Sequence, residues 1–471
     1  MTNSLRIRHL GVALAHPLSG SAWRNSMIIR PADAIFAPAL KVAVAATIVL
    51  VAGGLLGDQR LAGIAALGAL SSAFGRYQPY RRLAQQLGVV AAALLTAAGV
   101  GALLAAAGAP LWLQIGLLSM MAGAASHLFT ALRITGPGPV ILVFAASAGA
   151  GFATSFTAVP QVLAAVGLGA GVGWLVSVAP VLVVPMGPAR LASARAITAV
   201  VRLNGDDGET PRRAASAAIR NAREAIALST QRWHSPDRGL AAQAAQLNGL
   251  LDEAQAVLDM AADVDSSEAR ERLARHEVAL RKIRSTTVST GTGSTTSAPA
   301  ESFLAVARAG IASRSSVHQA LRMTAASALS GWVAVALGLA HPLWASMGAV
   351  AVLQGLNYRM GVQRGIQRLL GNVIGALVAV GILSLSLGFW PSVALVVVLQ
   401  TLAELLVLKN YALTTIAVTP MALIMTGLGS HLGPEAAMMR VADTLVGVVI
   451  GVLVAALSIS HADKAHLKQT I

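Results

Sequence analysis

A few ionisable and aromatic side chains sit within or beside long apolar runs, and these are the residues able to do chemistry. A charge at the centre of a bilayer costs about 2.5–3.5 kcal/mol or more, so each requires a reason. Arg364 and Arg368 are four residues apart, on one face of a helix. Guanidinium forks match carboxylates, so the pair can draw an organic anion inward; the plainer alternative is snorkelling toward headgroups. Lys41 and Arg322 lie one turn inside their own runs and offer the same two readings. Arg440 and Asp443 stand at i and i+3, spaced for a structural ion pair. They also suit a proton-coupled switch in which Asp443 takes a proton as Arg440 releases it. Glu404, about a turn from Lys409, is either an interfacial carboxylate or a proton relay. Trp344, with His341 and Pro342, opens another run, as an interfacial anchor or as a stacking surface for an aromatic substrate.

The elements that must carry these residues follow from composition. A soluble domain carries about 25% charged residues, whereas this chain is 55% hydrophobic and 12% charged. Its net charge of +15, which in a soluble protein would point to nucleic acid, is therefore read by position as membrane topology. Cysteine is absent, which excludes disulfides and thiolate chemistry. Spans of roughly 20 apolar residues fall near 36–57, 84–108, 110–132, 138–158 and 161–186, with a shorter run at 61–75. They resume near 319–340, 342–356, 367–388, 390–408, 411–428 and 437–460. The short second run of each set suggests a broken or re-entrant helix facing protein.

The loops support twelve spans with both termini inside. Arg76, Arg81, Arg82, Arg133, Arg359, Arg364, Arg368, Lys409, Lys464 and Lys468 follow alternate spans, and Arg60 is the one exception. Residues 1–35 read as a cytoplasmic tail and 461–471 as another. The segment 187–318 holds 14 of the 20 acidic residues and three stretches with helical periodicity. It reads as a helical cytoplasmic domain, with a Ser/Thr/Gly linker at 285–300.

Residues 36–186 and 319–460 read as two six-span repeats. Leu40-Lys41 matches Leu321-Arg322, Leu56-Gly57 matches Leu337-Gly338, and RRLAQQLG (81–88) matches RGIQRLLG (364–371). An even span number makes the repeats parallel, with a pathway expected between them. The fold class expected is thus an all-α polytopic membrane protein. Glycines at Gly167/Gly171, Gly371/Gly375 and Gly447/Gly451 mark close-packing faces. GLGAGVGW (167–174) lacks any βαβ context and is no dinucleotide site. No GxxxxGK[ST] motif is present, and neither a metal-ligand spacing nor a catalytic triad stands out, so no cofactor and no enzymatic activity are expected.

The second half resembles the fusaric acid resistance protein-like family. HPLWASMGAVAVLQ (341–354), RGIQRLLGNVIGALVAVGIL (364–383) and RVADTLVGVVIGVL (440–453) carry the resemblance. The family's motifs fall on His341, Trp344, Gln367, Arg368, Gly371, Arg440, Asp443, Thr444 and Gly447, while Asn372 replaces the usual Thr. That family includes bacterial exporters of aromatic carboxylic acids and is distantly similar to plant malate channels. The resemblance implies a small organic anion as substrate, protons as partner in a plasma (inner) membrane, and a periplasmic adaptor or homo-oligomer as possible company. Substrate contacts are then expected at Arg364, Arg368, Trp344, Lys41 and Arg322, and proton coupling at Glu404, Asp443 and Arg440. A passive anion channel and a non-transport scaffold are the alternatives.

Overall fold

A computed structural model describes residues 11, 13–203, 208–230, 238–260, 265–282, 302–355, 357–428 and 433–458. The linker at 285–300 and the tail at 461–471 lie outside the described residues. Among those described, every regular element is helical. The chain divides into two compact units: residues 1–74, 87–176 and 307–471 form the first, and 75–86 with 177–306 the second.

The helices are α1 (Gly20–Met27), α2 (Phe36–Leu55), α3 (Gln59–Ala69), α4 (Tyr80–Ala106), α5 (Leu111–Ala131), α6 (Val140–Phe152) and α7 (Val159–Val178). Next come α8 (Gly187–Val201), α9 (Glu209–Thr230), α10 (Arg238–Asp259), α11 (Asp265–Arg281) and α12 (Phe303–Ile311). The last six are α13 (Arg314–Ala336), α14 (Pro342–Leu353), α15 (Tyr358–Ser384), α16 (Phe389–Leu406), α17 (Tyr411–Gly427) and α18 (Glu435–Leu457).

Among the described residues, seven helices are long and apolar enough to cross a membrane: α2, α4, α5, α7, α15, α16 and α18. At 1.5 Å per residue, a 20-residue helix such as α2 matches a hydrocarbon core about 30 Å thick. Shorter apolar helices are α6, α14 and α17. The other two expected spans fall outside both groups. Helix α3 has only 11 residues, and the first third of α13 carries Arg314, His318, Gln319 and Arg322.

The short α14 is buried along its whole length, from Pro342 to Leu353. A helix that is apolar all round belongs inside a bundle, and α13, α15, α18 and α6 surround this one. Helix α3 is likewise buried from Ala62 to Ala69 and continues into a 3-10 turn, Leu70–Ala73. Both second runs are therefore short helices enclosed by protein.

Close packing rests on small residues. A Cβ added at Gly348 would stand 3.1 Å from Gly447 Cα across the α14–α18 contact. One at Gly375 would stand 2.8 Å from Thr419 Cβ across α15–α17. In α7 the packing face is shifted from the expected one. Gly171 has open space, while Gly169 and Gly173 press on Ala65 and Ser71. The run GLGAGVG offers two glycine faces two residues apart, and only α3 selects between them.

Helices α2 and α13 end alike, each at a left-handed glycine: Gly57 at φ 80° and Gly338 at φ 72°. Only glycine takes this conformation without penalty. Gly338→Ala is expected to destabilise by about 1–2 kcal/mol, read as a lower thermal midpoint of the purified protein.

The N-terminal segment differs from a free tail. Ser19 caps α1 by accepting from the Ala22 N–H (3.2 Å), and α1 packs on α15. The last carbonyls of a helix need outside donors. Gln363 Nε2 donates to Asn25 O (3.1 Å), and both Gln367 Nε2 and Asn410 Nδ2 donate to Ser26 O (3.0 Å each).

In the second unit, α8 packs against α9, α10 and α11. Helix α9 buries Ala215, Ile219, Ala222 and Ile226, a stripe at helical spacing. These meet Ile197, Leu250 and Leu273 in a core of fully buried side chains. Arg82 forms an ion pair with Glu224 at 2.7 Å, and the Arg195 guanidinium lies 3.8 Å from the Tyr77 ring centroid.

Candidate functional site: arginines and a lone carboxylate among the C-terminal helices

Helix α15 starts at Asn357, whose side chain accepts from the Met360 N–H (2.8 Å). Asn410 starts α17 the same way, with Ala412 (2.8 Å). These caps fix where Arg364, Arg368 and Tyr411 fall. The Arg364 guanidinium stacks on Tyr411, 4.3 Å from the ring centroid. Its Nε donates to Ala351 O and its Nη2 to Gln354 Oε1, both at 3.1 Å. Arg368 Nη1 donates to Tyr411 Oη at 2.9 Å. Arg368 is buried, Arg364 half-buried, and neither forms an ion pair among the described residues. Both turn inward onto one tyrosine, which is not the geometry of snorkelling.

Arg440 and Asp443 lie on α18, and both are buried. The expected ion pair does not form. Arg440 instead lies over Trp344, 4.8 Å from the ring centroid. Trp344 stacks in turn on His341, with centroids 4.2 Å apart and planes 11° apart. The α14–α18 glycine contact makes this possible, because close backbones bring Trp344 level with Arg440. Both carboxylate oxygens of Asp443 are left without a hydrogen-bond partner, as is Arg440 Nε. A buried carboxylate lacking a donor is costly when ionised, so this arrangement is poised rather than settled.

The remaining expected residues stand elsewhere. Lys41 Nζ donates to Phe74 O (3.3 Å), at the end of the turn after α3. Arg322 Nη1 donates to Gln319 Oε1 (3.3 Å), and Gln319 in turn bonds to Leu353 O at the end of α14. Glu404 is buried on α16, which packs on α17 and α2, whereas α18 packs on α13, α14 and α15. The structure thus joins Arg364 with Arg368, and Trp344 with Arg440, but does not join Lys41, Arg322 or Glu404 to them.

Two participants are not evident in the sequence. Tyr411 reads as an ordinary helix-start residue, and Gln354 as the end of an apolar run. Gln354 clasps Arg364 on one side and donates to Pro137 O (3.0 Å) on the other. Asn372, the departure from the family pattern, has a visible task. Its Nδ2 donates to Arg368 O (3.0 Å) while its Oδ1 accepts from Thr419 Oγ1 (2.9 Å). An amide can donate to one helix and accept from another at once.

Fold and site define a multi-pass helical membrane protein with cationic side chains inside its C-terminal helices. Residues 327–454, which hold this whole site, match the model of the fusaric acid resistance protein-like family. A second similarity is to the uncharacterized membrane protein YvaC of Bacillus subtilis (strain 168), at 37% identity over 123 residues. That stretch is 26% of this chain and 19% of the relative, so the chain spans about a fifth of that protein's length. No solved structure matches.

Proposed function

We propose that this protein is a secondary exporter of small organic anions, aromatic or other hydrophobic carboxylic acids, driven by the proton motive force. One observation carries the reading: Asp443 is fully buried with neither carboxylate oxygen hydrogen-bonded, one helical turn from Arg440, whose guanidinium lies over Trp344. Asp443 carries the proton, while Arg440 and Arg368 hold the substrate carboxylate. The carrier turns outward with the anion bound and Asp443 ionised, and returns with Asp443 protonated and no anion. Binding either a proton or a substrate, but not both, is what couples the two flows. On this reading the membrane is the inner membrane and both termini are cytoplasmic. Residues 187–318 then face the cytoplasm, and the pathway lies between two parallel halves. An adaptor or a second copy completes the route outward.

The test is accumulation of labelled 4-hydroxybenzoate in cells with and without the protein, before and after an uncoupler. Lower accumulation that the uncoupler reverses supports the exporter. Unchanged accumulation in both conditions rejects this substrate. Arg368→Gln is expected to cut efflux about tenfold or more, since a charged hydrogen bond is worth about 1.5–3 kcal/mol. Comparable efflux in that variant takes Arg368 out of the route.

A passive anion channel is the second reading, favoured by three buried or half-buried arginines with no ion pair among the described residues. Export against a concentration gradient distinguishes it from the first.

A further inference from the structure

Arg60 is the one basic residue that breaks the topology pattern, and topology is not its only oddity. It is the second residue of α3, where the positive end of the helix dipole disfavours a cation. Among the described residues it has no ion pair, and Asp58, the nearest acid in sequence, is occupied in capping α3 through the Leu61 N–H (3.0 Å). What Arg60 does touch is an aromatic face: its guanidinium lies 5.3 Å from the Phe152 ring centroid.

That contact stands on the rim of a cavity of ≈ 200 Å³. Phe144 and Phe152 line it from α6, and Trp344, backed by its stack on His341, lines it from α14. The hydroxyl residues Ser147 and Thr426 also face it. A cavity of about 150 Å³ holds benzene, so this one takes a single ring with a small polar group. Ligand sites of this kind pair apolar walls with a few placed polar groups.

We propose that this cavity binds a small anion bearing one aromatic ring, with its carboxylate on Arg60 and its ring between Phe152 and Trp344. The anion class rests on the transport reading above, while the site rests on Arg60 and the rings around it. Trp344 is shared: it lines this cavity and also lies under the Arg440 guanidinium, so a ligand here is sensed at Arg440.

The experiment is equilibrium dialysis of labelled 4-hydroxybenzoate, and of the neutral 4-hydroxybenzamide, against the purified full chain in lipid nanodiscs. Arg60→Gln is expected to weaken carboxylate binding about tenfold and to leave amide binding unchanged. Arg60→Lys restores part of the preference. Arg60 is exposed on the rim, so an unchanged thermal midpoint verifies folding. The proposal is overturned if wild-type protein binds no 4-hydroxybenzoate, or if Arg60→Gln retains the full preference for it. Uncoupler-sensitive efflux alongside an unaltered Arg60→Gln preference rejects the site and keeps the transporter. A preference lost in Arg60→Gln, in a protein that exports nothing, keeps the site and rejects the transporter.

Discussion

Asp443→Asn abolishes uncoupler-sensitive efflux while the protein still reaches the membrane at normal levels. The substitution keeps the shape of a buried side chain and removes only its ability to ionise. Asp443 is 0% exposed, and neither of its oxygens has a partner to lose. The variant is therefore expected to fold at least as well as the parent, since an uncompensated buried charge is gone. What it loses is the carboxylate that takes up and releases the coupling proton. Efflux in cells should fall to the level seen with an uncoupler, whereas exchange of labelled for unlabelled anion across proteoliposomes should persist. Full efflux by Asp443→Asn removes Asp443 from the coupling. Glu404→Gln is the companion measurement, because Glu404 is the other buried carboxylate of the expected relay. Normal efflux there leaves Asp443 alone in that role.

Gly447→Ala is expected to damage both packing and function. Its Cβ would land on the Ala345 carbonyl oxygen and close to Gly348 Cα, two backbone positions with no flexible end to give way. Helices α14 and α18 must then separate, at a cost of about 1–3 kcal/mol typical of overpacking. Separation also carries Trp344 away from Arg440, so function falls further than stability. The measurements are the thermal midpoint in detergent and efflux at matched expression. The control is Gly381→Ala in α15, where an added methyl meets nothing within 4 Å. That variant is expected to be neutral or slightly stabilising, because alanine is the better helix former. Equal behaviour of the two variants would mean that the α14–α18 contact has no special tightness.

The helices were legible because a helix is a local object. Apolar runs of span length and 3.6-residue periodicity place α2, α4, α5, α15 and the amphipathic α9 without reference to any neighbour. The two short second runs were legible for the same reason: too few apolar residues to reach across a bilayer, hence protein on every side. The site was legible only as a set of unusual residues. Spacing makes Arg440 and Asp443 neighbours on α18, but an i, i+3 pair does not dictate where either side chain points.

From the sequence alone follow the solvent, the helices, the candidate residues and the likeness of the stretch around His341, Arg368 and Arg440 to a known family. Those properties depend on composition and short spacings. Tertiary structure decided the partners. It set Arg364 and Arg368 on Tyr411, turned Arg440 to Trp344 and away from Asp443, and chose Gly169 and Gly173 over Gly167 and Gly171. Each outcome depends on which helix lies alongside at contact distance. A guanidinium inside a bundle goes to whichever ring or oxygen the neighbouring backbone brings within reach, and only the packed chain specifies that neighbour.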